Sequence, residues 1–180
     1  RARLRCPARL AAQIRALSDE AARMLLKTES ATPALERLGQ DARIMEACAA
    51  QARMEGGARL SAAGRTPRVL TIMREAVAMG DTALSAERLK AAVSAFDEVQ
   101  PLSMAEIWAI PTALRRALSE AFCINARAIV QRGRERCEAE RFVERRAEKP
   151  RAAASCAFFE RALHLSVERE LPQVRAGLER

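Results

Sequence analysis

The chain has 180 residues, a formal charge of +8, 49% hydrophobic residues and only 3% aromatic ones. That length suffices for one domain with a real core, and a core of Ala, Leu, Ile, Val and Met without tyrosine favours packed helices over a sheet. No 18-residue apolar run able to span a bilayer is present, and no CxxC spacing suggests a zinc site or disulfide framework.

The predicted elements follow in chain order. Leu10, Ile14, Leu17, Ala21, Met24 and Leu25 recur at helical spacing and predict a helix over 8–27. Thr32-Pro33 reads as an N-cap with proline at the first helical position, opening a helix that ends near Met54, before Gly56-Gly57. Thr66-Pro67 repeats that start signal, and Val69, Ile72, Met73, Ala76 and Val77 form an apolar face that stops at Gly80. Ser85 caps the next stripe, Leu89, Ala92, Val93 and Phe96, which ends at Pro101.

Ser103 and Glu106 then form a capping box, in which the serine oxygen and the glutamate each satisfy an orphan N–H. Pro111 falls inside this helix and predicts a kink or short break between residues 107 and 111. The only tryptophan, Trp108, is expected to fill the joint with its buried ring, between Ile107, Ile110 and Leu114. Glu106 and Arg115 are expected to fix the kink by a charge-assisted bond. The alternative role for Trp108 is a platform on which a sugar stacks.

The resulting fold class is all-α, a bundle of about five to seven helices with a kinked central helix near Pro111. The expected organisation is N-terminal helices over 1–60, loosely attached because their cores are mostly alanine, and a helical core over 61–143. A linker over 144–154 and a C-terminal helical hairpin over 155–180, with Phe158, Phe159 and Leu163 on one face, complete it.

Catalytic, cofactor and metal residues are not evident. Asp19-Glu20 and Asp97-Glu98 are adjacent pairs, and adjacent residues on a helix point about 100° apart, so neither pair converges. Gly56-Gly57 lacks the lysine and hydroxyl of a phosphate loop. His164, the only histidine, reads as a boundary residue, and Cys6, Cys48, Cys123, Cys137 and Cys156 read as small buried hydrophobes in a reducing compartment.

Most arginines are interleaved with acids, as along 132–146, which predicts a solvated helix face and argues against a nucleic-acid patch. Arg1, Arg3, Arg5 and Arg9 carry no nearby acid and are the candidate anionic contact.

The run Leu102-Ser-Met-Ala-Glu106-Ile-Trp108-Ala-Ile-Pro111-Thr-Ala-Leu114-Arg115-Arg-Ala-Leu-Ser-Glu120 resembles a signature of the cyclic β-1,2-glucan synthases. Gly64-Arg-Thr-Pro67-Arg68-Val69 and the stretches 83–100 and 158–180 are similar to further segments of that family, so the resemblance covers about two thirds of the chain. Leu70 and Phe96 stand where the family has tyrosines, and Arg116 where it has an apolar residue.

These synthases are large bacterial inner-membrane glycosyltransferases that make cyclic glucans from UDP-glucose. The resemblance implies a non-catalytic scaffold or regulatory segment ahead of the membrane spans and transferase domain, at the cytoplasmic face of the inner membrane and docked on the rest of the enzyme. The other readings are a stand-alone helical protein-interaction module and a basic nucleic-acid-binding helical domain.

Overall fold

A computed structural model of the chain describes residues 1–26, 32–79 and 84–148, the last three as backbone alone. The fold is all-α, with five helices among the described residues: α1 (Ala8–Leu25), α2 (Pro33–Glu55), α3 (Arg68–Ala78), α4 (Ala86–Val99) and α5 (Met104–Glu148). The expected hairpin over 155–180, with His164 and Cys156, lies outside the described residues. The expected linker begins inside α5, which stays helical through Glu148.

Two small antiparallel pairs also form, where the sequence predicted no strand. β1 (Ala2–Arg3) pairs with β2 (Arg59–Leu60), placing Ala2 opposite Leu60 and Arg3 opposite Arg59. β3 (Ala62–Ala63) pairs with β4 (Thr66–Pro67) across a tight turn, where Gly64 has φ +62. Glycine at that first turn position meets the positive φ of a hairpin turn without steric cost. The hairpin also consumes Thr66, expected as a helix cap, so that Pro67 precedes α3.

The chain divides into two units after Cys137, the first of them, Arg1–Cys137, compact. In the first, α5 is a spine that presents successive stretches to different partners. Ala109, Ala113 and Ala117 meet Val69, Leu70, Ile72 and Met73 of α3, with Leu4 and Leu60 of the β1–β2 ribbon closing the cluster. Leu89 and Val93 of α4 pack on its edge.

Further along, Cys123 meets Leu10 and Ile14 of α1 and Ala49 and Ala52 of α2. Ala126 and Val130 then meet Ala21 and Met24 with Leu35 and Leu38. The start of α1 thus packs with the end of α2 and the reverse, so the two helices form an antiparallel hairpin laid along α5.

The first sixty residues are therefore firmly built into the unit, contrary to the loose attachment expected. Alanine is the reason. Small side chains let helix axes approach, and at Gly133 an added Cβ would sit 2.9 Å from Met24 Sδ.

Pro111 does not interrupt α5. The expected filler is absent as well: Trp108 is 78% exposed, and the buried side of the helix is Glu106, Ala109 and Ala113. At 100° per residue, Ile110 and Leu114 lie more than about 100° around the helix from Trp108, so neighbours in sequence make no socket for the ring. Pro111 is exposed, as is Ile107, whose carbonyl loses its helical donor because proline has no N–H.

Candidate functional site

The candidate residues and their partners fall into three polar clusters and one exposed stripe. The first cluster is centred on Glu106, which is 1% exposed. Pro67 is buried at the head of α3 and places Arg68 at the first helical position. From there Arg68 reaches Glu106 with two bonds, Nε to Oε1 at 3.2 Å and Nη2 to Oε2 at 3.0 Å, and donates to the Pro101 carbonyl at 2.9 Å.

The Ser103 N–H and hydroxyl also donate to Glu106 Oε2, at 2.9 and 2.8 Å, and the Glu106 N–H returns a long 3.4 Å bond to Ser103 Oγ. The capping box therefore exists, and its carboxylate doubles as the anchor for α3. Burial pushes the Glu106 carboxyl up, but the Ser103 N–H, Arg68 and the Ser103 hydroxyl outweigh it and hold the group below the usual carboxylate range.

The second cluster is centred on Glu55, at the end of α2. Its Oε2 accepts from Thr112 Oγ1 at 2.8 Å and Arg115 Nη1 at 2.6 Å, and its Oε1 from Gln51 Nε2 at 2.8 Å. Hydrogen bonds from Thr112 and Gln51 hold this carboxyl low as well. Arg115 thus ties α5 to α2, not to Glu106 as expected. Glu120 plays a similar part toward α3, with Arg74 Nε at 2.8 Å and Arg116 Nε at 2.9 Å. Burial raises its carboxyl and these two arginines more than reverse that. Leu114 is half-buried against the α3 cluster.

Glu55 and Arg74 have no sequence signal of their own, because each becomes a partner only through the packing of separate helices. Beside the Glu55 cluster, Trp108, Leu4, Gly57, Ala58 and Thr112 line a small cavity of about 140 Å³. Gly56 is required here, since an added Cβ would sit 2.7 Å from the Leu4 carbonyl oxygen.

Arg1, Arg3 and Arg5 are exposed and alternate with Ala2, Leu4 and Cys6, which turn inward; Arg9 is exposed near the start of α1. Burial pushes the Cys6 and Cys123 thiols up, away from the reactive thiolate.

Among the described residues no three His, Cys, Asp or Glu side chains are grouped to hold a metal ion, and no helix is long and apolar enough to cross a membrane. The candidate residues that form bonds here therefore join helices, and their carboxylates are committed to arginines. No protein-family model, curated protein or solved structure matches the chain.

Proposed function

We propose that the chain is a helical scaffold segment of a cyclic β-1,2-glucan synthase-like glycosyltransferase, holding its neighbouring domains at the inner face of a bacterial inner membrane without performing the chemistry. The observation that carries this reading is the Arg68–Glu106 pair. Two separate stretches of the sequence resemble that family, around Pro67-Arg68 and around Glu106-x-Trp108, and their charged residues meet 38 positions apart in one buried two-bond contact. Residues engaged in this way serve the frame of a domain, and a scaffold role is what the resemblance implies for this region.

The test is a chromosomal Arg68→Ala substitution in the host, with cyclic β-1,2-glucan quantified by mass spectrometry of cell extracts. A marked fall in glucan is expected. Unchanged glucan, or a reading frame that stops after Arg180 without reaching membrane spans and a transferase domain, overturns the proposal in favour of a stand-alone interaction module.

A further inference from the structure

The start of α5 has two opposite faces. Glu106, Ala109 and Ala113 turn inward, while Met104 (67% exposed), Ile107 (44%) and Trp108 (78%) share an outward arc of about 100° with the exposed Pro111. Monomeric proteins seldom leave an indole and its apolar neighbours uncovered together.

A second feature adjoins this stripe. In the β1–β2 ribbon Arg3 and Arg59 are direct cross-strand partners, and Arg1 and Arg5, beyond the two ends of β1, continue the outward alternation. Like charges placed opposite one another on a ribbon repel, and none of these four arginines has an ion pair among the described residues. The Leu4 N–H donates to the Ala58 carbonyl at 3.1 Å, and Leu4 and Ala58 line the same small cavity as Trp108. The arginine ribbon and the apolar stripe are therefore contiguous. The nearest acid on that cavity, Glu55, is already bound by Thr112, Arg115 and Gln51.

We infer that this surface binds an anionic lipid bilayer, with the indole of Trp108 entering the headgroup region beside Met104 and Ile107 and the guanidinium groups of Arg1, Arg3, Arg5 and Arg59 meeting lipid phosphates. An indole prefers the interface because its ring is apolar and its N–H needs a polar partner. Guanidinium groups pair with phosphate oxygens through parallel N–H bonds. A nucleic-acid duplex would use the arginines but leave the apolar stripe in water; a bilayer takes both. This role goes beyond the scaffold reading and stands without it.

The single tryptophan reports on the event directly. With the full chain in 0.1 M salt, vesicles of phosphatidylcholine with one third phosphatidylglycerol are expected to shift Trp108 emission to the blue and to co-sediment the protein. Brominated acyl chains are expected to quench that emission. Arg3→Gln combined with Arg59→Gln, both outward and exposed, is expected not to lower the melting temperature and to weaken partitioning roughly 25-fold, at about fivefold per cation lost near the surface.

Partitioning into pure phosphatidylcholine as strong as into the anionic vesicles overturns the inference. So does an unshifted emission with the wild-type chain, or tighter binding to a DNA duplex than to vesicles at the same salt. A blue shift that appears on concentrating the protein alone assigns the stripe to a second copy, and overturns it too.

Discussion

Truncating Glu106 to alanine tests the packing argument most severely. Its carboxylate accepts four hydrogen bonds, two from Arg68 and two from Ser103. The substitution strands a guanidinium whose side chain is only 14% exposed, and which keeps the Pro101 carbonyl as its acceptor while Nη1 is already unpartnered. Leaving one member of a buried pair alone costs about 3–5 kcal/mol, and losing the reciprocal bond from the Ser103 N–H adds about 1 kcal/mol.

A total of about 4–6 kcal/mol is a large share of the roughly 5–15 kcal/mol that stabilises a domain. Urea unfolding followed by far-ultraviolet circular dichroism measures it through the midpoint at constant slope. Glu106→Gln, whose amide oxygen still accepts from Ser103, is expected to lose about half as much. Joint replacement by Arg68→Met and Glu106→Leu removes both charges and is expected to recover most of the loss. A cost below about 1 kcal/mol for Glu106→Ala would refute the assignment of this pair as the joint between α3 and α5.

Four further outcomes are expected. Trp108→Ala should change stability by less than about 0.5 kcal/mol in the same urea assay, because an exposed ring leaves no cavity behind. Gly56→Ala should cost about 1–3 kcal/mol, since its Cβ meets the backbone oxygens of Leu4 and Ala52 at 2.7 and 2.8 Å and neither can move aside cheaply. The carboxyls of Glu106 and Glu120 are held below their ordinary range, so they contribute stability above that range and lose it as pH falls through their lowered values. Melting temperatures should thus be level near neutral pH and drop below about pH 4, less steeply in Glu106→Gln. Cys6 and Cys123 should resist a thiol reagent in the native protein and react on unfolding, a difference read from the number of thiols titrated with and without denaturant.

Local chemistry was legible in the sequence, and partnership between helices was not. The Ser85 cap appears as read, accepting from the Arg88 N–H at 3.2 Å, and so does the Ser103–Glu106 box, because both lie within one turn of chain. Thr32 does precede α2 and Pro33 is its first residue, but the Thr32 side chain makes no capping bond. The two-residue strands carry too little pattern for a period of two to register. Arg68 and Glu106 were each singled out, yet nothing in their spacing says that they meet. Trp108 departs from its expected burial for a different reason: apolar neighbours in sequence are not neighbours in space, since on a helix they point elsewhere.

The placement of the first six residues has a consequence for how the chain is made. Leu4 belongs to the cluster closed by Ala109, Ala113 and Ala117, and Cys6 to the one closed by Cys123. Arg116 Nη1 also donates to the Arg5 carbonyl at 2.6 Å. Residues 4–6 leave the ribosome well before these partners on α5 and are therefore among the last of the described residues to be completed. At about 5–20 residues per second, Leu4 and Cys6 wait on the order of ten seconds for their partners on α5. Through that interval the α1–α2 hairpin exposes the flank that α5 will cover, and a chaperone that holds short apolar helices has its longest opportunity there.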